Sequence, residues 1–323
     1  MPQLEYQLLP YRQRLPSCES LTGLVRLAFA QYGGVIDAGE PFLRWFLARP
    51  GLDHGLSTAA WQGDLLASSL FVTRWRLIIG GTPRSVGIVD TVMTHPDHRR
   101  RGLARALLSR AIEESRAAGL EALQLYTSAG SDGYRLYCRL GFVEWARLHC
   151  WELTSESPPS NDAGEWHPAT PAEQKRVREL LGAASSRYDG VPEDSDAVWR
   201  WRRQDRPPEV AARVWLRASG PIGGETVTTS AVRLTMQGER LVLSDPLAED
   251  AAAFSRLCRH LAGKAPLVAV ADERDATLSG VLGAAGFARG QAEAALVLPL
   301  APDFPCAPGP RPWFALTESI IGA

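Results

Sequence analysis

The run His98-Arg99-Arg100-Arg101-Gly102-Leu103-Ala104-Arg105 sets three consecutive arginines and a glycine directly ahead of a helical pattern. Such a junction suits a diphosphate. A helix start offers unpaired N–H groups and the positive end of a dipole. Gly102 has no side chain, so a ligand can come close to the backbone there. Ala104 is too small to block the approach. The arginines can add charge-assisted hydrogen bonds to phosphate oxygens. The competing reading of the same residues is a basic helix start that happens to follow a strand.

The flanking pattern supplies the elements that would hold this loop. An apolar run from Ile88 to Thr94 reads as the strand leading into it. Leu103, Ala106, Leu107, Ala111 and Ile112 then mark one apolar helix face, and Gly119 is placed to end that helix. Residues 122–127 read as a strand, residues 128–133 as a Ser/Gly loop, and a short helix follows. After it comes Leu136-Tyr137-Cys138-Arg139-Leu140-Gly141-Phe142. Upstream, Leu21–Tyr32 and Pro41–Ala48 have helical spacing. Ser57–Trp61, Leu65–Trp75, Leu77–Ile79 and Val86–Thr94 read as strands around turns at residues 62–64 and 80–83. Phe142–Leu153 closes the series, which predicts an α/β (α+β) fold with a mixed sheet.

Arg99-x-x-Gly102-x-Ala104 and Tyr137-x-x-x-Gly141-Phe142, in this order with helix and strand between them, resemble the two signatures of the GNAT acyltransferase superfamily. The resemblance implies acetyl-CoA as co-substrate, with its pyrophosphate on Arg99, Arg100, Arg101, Gly102, Leu103, Ala104 and Arg105. It implies a splayed strand whose backbone at Val92, Met93 and Thr94 pairs with the pantetheine arm. It also gives Tyr137 the role of general acid for the departing thiolate. Taken alone, Tyr137 reads equally as a core aromatic. Asp90 interrupts the apolar strand and has two readings of equal weight: a general base for the attacking amine, or a structural carboxylate bonded to nearby groups. Where the family often carries an asparagine, seven residues before the tyrosine, this chain has Gly130. That departure leaves Ser131 or the loop backbone to substitute. Cys138 is either a reactive thiol or an inert one.

A closer similarity, to the enhanced-intracellular-survival type, rests on Glu40-Pro41-x-x-Arg44-Trp45, the Gly80-Gly81 turn and both signatures. It implies tandem GNAT-like domains; the third, sterol-carrier-like domain of that type is not expected here. The expected division is a catalytic domain at 1–154, a Ser/Pro-rich linker at 155–164, a degenerate GNAT-like domain at 165–300 and an arm at 301–323. In the second half the loop position reads Asp245-Pro246-Leu247-Ala248-Glu249-Asp250, with acids that would repel a diphosphate, and no tyrosine matches Tyr137. A generic α/β alternation is the competing account of the apparent repeat.

Composition excludes other classes. The net charge is −1, which disfavours nucleic acid and anionic membranes as partners. Five scattered cysteines argue against a disulfide framework and against a metal site. No apolar run approaches a membrane span, so a cytoplasmic location is expected. The expected function is an N-acetyltransferase acting by direct attack of a primary amine of a small molecule or peptide. The alternative is a non-catalytic acyl-CoA-binding regulatory protein. Tyr32, Asp37, Glu40, Phe42 and Trp45 are expected near the acceptor entrance.

Overall fold

The computed structural model describes residues 6–30, 39–153, 162–185, 188–208, 211–222, 225–237, 240–244, 250–307 and 309. Its first half runs β1 (Gln7–Pro10), α1 (Cys18–Ala28), α2 (Glu40–Leu47), β2 (Thr58–Gln62), β3 (Leu65–Ile79), β4 (Thr82–Thr94), α3 (Leu103–Ala117), β5 (Ala122–Ser128), α4 (Asp132–Arg139) and β6 (Val143–Leu153). The second half runs β7 (Trp166–Pro168), α5 (Gln174–Ser185), β8 (Val191–Pro192), α6 (Asp196–Arg203), β9 (Ala212–Ile222), β10 (Glu225–Gln237), β11 (Arg240–Ser244), α7 (Ala251–Ala262), β12 (Leu267–Asp272), α8 (Ala276–Ala284) and β13 (Phe287–Pro299). The fold is mixed α/β, as the apolar patterning predicts. Among the described residues no helix is long and apolar enough to cross a membrane.

Local chemistry sets the boundaries. Ser17, Ser131 and Ser195 cap α1, α4 and α6 by accepting from the first-turn N–H groups of Ser20, Tyr134 and Val198. β3 and β4 form one long hairpin whose turn is Gly80-Gly81 alone, with φ of 58° and 74°. Two successive positive φ values match the twist of the flanking strands. The sequence reading breaks these strands early because Pro83 resembles a turn residue. The proline instead sits in β4 opposite Ile78. The short strands β1, β7 and β8 have too few residues to show an alternation, and sequence patterning misses them.

All the strands belong to one sheet, in the order β1-β2-β3-β4-β5-β13-β6-β12-β11-β10-β9-β7, with β8 added beside β3. The chain halves are not separate in it. β13, the last strand, pairs antiparallel with β5, from Glu293↔Ser128 to Pro299↔Ala122. β6, from the first half, pairs antiparallel with β12, from Val268↔Glu152 to Asp272↔Leu148. Each half thus gives its closing strand to the other, and β13 and β6 pair where the two meet. A division into 1–154 and 165–300 cuts through this exchange. Most of the expected linker (155–161) lies outside the described residues, as do the acidic loop at 245–249 and all of the arm from residue 310 on.

Alternation along β13 shows how it fills two cores at once. Ala295 and Val297 enter a cluster with α1 and α2 (Leu21, Leu24, Phe42, Phe46). Ala294, Leu296 and Leu298 enter the cluster with α3 on the opposite face (Leu107, Leu108, Ala111). A third core packs α7 and α8 on β11 and β12.

A second join lies beyond the sheet. Trp45 of α2 stacks on Trp201 of α6 at 4.7 Å and 9° between planes. Each indole donates to the other residue's carbonyl, at 3.0 and 2.9 Å. Both residues are buried. Trp201→Ala therefore leaves a cavity and takes one of two donors from the Trp45 carbonyl, which keeps the Ala48 N–H. We expect it to lower the unfolding free energy by about 3–5 kcal/mol, measured as a shift of the denaturant midpoint followed by circular dichroism.

Candidate active site

The site begins with a defect in β4. Its pairing with β3 jumps from Phe71↔Asp90 to Ser69↔Met93, so that Thr91 and Val92 together oppose Leu70. This is a β-bulge, and Thr91 takes φ of 52°, which a β-branched residue rarely adopts. The strain is held from both sides. Thr91 Oγ1 donates to Asp90 Oδ1 at 2.9 Å, and Arg49 Nη1 donates to Asp90 Oδ2 at 3.1 Å. This ion pair is almost fully withdrawn from solvent, with 4% and 12% of the two side chains exposed. The Arg49 guanidinium lies over the Phe46 ring at 4.0 Å, and its Nε and Nη2 are buried without hydrogen-bond partners. Burial pushes its pKa down, opposed by Asp90.

The bulge coincides with a parting of strands. β4 and β5 pair in parallel only from Val86↔Ala122 to Ile88↔Gln124. Beyond Ile88 they diverge, and a cleft of about 1090 Å³ opens between them. Val92, Met93 and Thr94 line it.

One mouth of the cleft is the start of α3. Gly102 precedes that helix with φ of 78°, and a Cβ built there meets nothing within 4 Å. No side chain caps the helix and its first turn holds no acid, so its N–H groups face the cleft unneutralised. Arg100 is also left-handed, with φ of 60°. Arg99, Arg100, Gly102, Leu103, Ala104 and Arg105 all line the cleft. Arg101 does not. Its guanidinium donates to Tyr6 Oη and to the Asp97 carbonyl, both at 3.1 Å. Arg99 ties the loop to the end of α1 through the Ala28 carbonyl at 2.9 Å. The open glycine, uncapped helix and free-facing cations form a donor set that fits a diphosphate. The start of α7 differs: Asp250 caps it by accepting from the N–H groups of Ala252 and Ala253 at 3.0 Å. A carboxylate already occupies that helix start.

The opposite wall is α4. Tyr137 is buried, lines the cleft and meets Phe142 edge-on at 6.0 Å between centroids. The ring packs in the core while bordering the cleft. Gly130 is left-handed, and Ser131 lines the cleft while its hydroxyl caps α4. Nearby, Tyr134 donates to Glu144 at 3.0 Å, which holds its phenol up at about 12. Cys138 is exposed.

His98, the first residue of the arginine run, borders the loop with Nδ1 2.8 Å from Tyr6 Oη, and burial lowers its pKa. Several other lining residues were not legible in the sequence. Arg49, Trp75 and Trp201 line the α1/α2 side, and Gln291 and Glu293 come from the exchanged β13. No local motif marks them. Of the expected acceptor-entrance residues, Phe42 and Trp45 are buried in the core and Glu40 is ion-paired with Arg44. Tyr32 and Asp37 lie outside the described residues.

This geometry has known parallels. The acetyltransferase (GNAT) domain family matches residues 18–144. An uncharacterised N-acetyltransferase of Streptomyces griseus is 26% identical over 193 residues, which is 56% of this chain and 45% of that protein. The match thus spans less than half the length of that relative. The solved structure of a probable N-acyltransferase from Enterococcus faecalis has the same fold over 92% of this chain and 73% of its own, with a TM-score of 0.63 at 11% identity. N-myristoyltransferase of Saccharomyces cerevisiae, solved with myristoyl-CoA and inhibitors, does so over 93% of this chain and 81% of its own, with a TM-score of 0.68 at 9% identity. Family match, relative and fold together support a GNAT-family acetyltransferase domain over residues 18–144 of this chain.

Proposed function

We propose that the chain is an acetyl-CoA-dependent N-acetyltransferase that acts by direct transfer to a primary amine of a small molecule or peptide. The observation that carries this reading is the junction of an uncapped, acid-free α3 start with the open β4 edge in one cleft. Acyl-CoA bound there supplies a thioester carbonyl. The loop residues Arg99, Arg100, Gly102, Leu103, Ala104 and Arg105 hold the diphosphate, and the backbone of Val92–Thr94 pairs with the pantetheine arm. N–H groups on that edge stabilise negative charge developing on the carbonyl oxygen. Tyr137 protonates the departing thiolate. A phenol and a thiol have ordinary pKa values near enough for this exchange, which typically contributes about 10²–10⁴-fold.

Asp90 takes the positioning role in this account. Its oxygens accept from Arg49 and Thr91 and so hold the bulge that aims the strand edge. Arg101 supports the loop from behind through Tyr6. The second half is read as a diverged copy of the first, supported by its matching order of β11, α7, β12, α8 and β13, and by the parallel pairing of β11 with β12. Its capped α7 start leaves it without a diphosphate site.

Two variants test the reading. Tyr137→Phe is expected to lower kcat for acetyl transfer by about 10²–10⁴-fold, with the Kd for CoA unchanged by calorimetry. Gly102→Val puts a branched side chain at a left-handed position facing the cleft. We expect at least a tenfold weaker Kd for CoA, with a loss of unfolding free energy of about 1–2 kcal/mol. The yeast fold relative carries myristoyl-CoA, so acyl length is tested directly. Acetyl-CoA is expected to give a higher kcat/KM than myristoyl-CoA across one amine panel, read as thiol release.

A further inference from the structure

The strand exchange carries one acid into a cleft built mostly from the first half. Glu293 lies on β13 directly opposite Ser128 of β5 and accepts from its hydroxyl at 2.8 Å. Alternation puts it on the face of Ala295 and Val297, the α1/α2 side of the sheet, together with Tyr126 and Ser128 of β5. Trp75 and Trp201 pack into the same core and line the same cleft. Tyr137 belongs to the core on the opposite face. The parted strands therefore have the Tyr137 phenol on one side and, on the other, a carboxylate with Tyr126 next along the same face.

We infer that the strand exchange completes the acceptor half of the active site, and that the Glu293 carboxylate accepts the proton an incoming ammonium must lose before its nitrogen attacks the thioester. This rests on the acetyltransferase reading above and adds the base and the acceptor class to it. Aromatic walls and a carboxylate suit a cationic amine with an apolar body. The protons balance as follows. An ammonium nitrogen brings three and the amide keeps one. The first goes to Glu293, which frees the lone pair. The C–N bond then forms, the C–S bond breaks, nitrogen releases its second proton to water, and sulfur receives one from Tyr137. Glu293 returns its proton to solvent and Tyr137 regains one, so each turnover releases one proton.

Surroundings favour this role. Burial raises the Glu293 pKa above the ordinary glutamate value, with the Ser128 hydrogen bond opposing the rise. A raised carboxylate is a stronger base once it is ionised. On β6 the ionisable group near it is the Cys150 thiol, itself pushed up to about 11 by burial. On β5 it is the Tyr126 phenol. Across the cleft Arg49 is paired with Asp90, and Arg135 with Asp132. The other cleft-lining groups that can carry positive charge are Arg139 and the arginines of the loop, with His98 disfavoured as a cation by burial.

The test compares the full-length protein with E293Q, using acetyl-CoA and a panel of cationic amines from pH 5 to 9. Carboxyl carbon-13 NMR identifies the Glu293 titration as the signal missing in E293Q. The expected result is that E293Q binds acetyl-CoA as the wild type does and loses about 10²-fold or more in kcat. The acid limb of the wild-type kcat/KM profile should match the Glu293 titration and vanish in E293Q, while Glu293→Asp retains part of it. An E293Q protein with full kcat and an unchanged acid limb overturns the inference. So does a wild type that binds acetyl-CoA but acetylates no amine, which leaves the coenzyme site standing. Failure of the wild type to bind acetyl-CoA removes the acetyltransferase reading and this inference together.

Discussion

Two strands that start parallel and then part are the constraint on which the rest of this site depends. β4 and β5 share a ladder for three residues and separate after Ile88. Inside a sheet such a parting is costly, because backbone N–H and C=O groups lose partners that water cannot easily replace. The bulge at Thr91 turns β4 away from β5, and the buried Arg49–Asp90 pair holds the turn. Arg49 in turn lies over Phe46 of the α1/α2 core. A strained residue, an ion pair and a packed ring thus keep open a gap whose exposed strand edge is ready for an extended ligand.

The exchange of closing strands gives the gap its far side. β5 cannot end the sheet of the first half with a free edge, and β13 covers it. The covering strand also brings Gln291 and Glu293 to the cleft, and α6 brings Trp201. The second half therefore helps line the cleft even though its own helix start is closed by Asp250. The Trp45–Trp201 stack and the β13–β6 ladder bind the halves at two places, so the cleft geometry depends on both.

What the sequence made legible follows from distance along the chain. The proposed diphosphate loop is contiguous, and each of its features (the arginines, Gly102, the apolar face of α3) is a local property. Tyr137 was visible for the same reason, with Gly141-Phe142 following it closely. Asp90 was visible as a break in an apolar run, but its partner Arg49 stands 41 residues away, so its two readings could not be separated. Glu293 pairs with a residue 165 positions earlier. Nothing in the pattern of β13 says which strand it will join, because an apolar alternation fits beside either β5 or β12. Arg101 was misplaced because three adjacent arginines look alike in sequence, whereas the turn at Arg100 directs the third one towards Tyr6.

The central claim is that the open edge of β4 and the start of α3 receive one ligand together. Amide hydrogen exchange on the full-length protein with and without acetyl-CoA tests it most directly. The account predicts that acetyl-CoA slows exchange in two separate stretches, Val92–Thr94 and Gly102–Arg105, while the start of α7 is unchanged. Protection absent from both stretches, or found at the start of α7 instead, would contradict it.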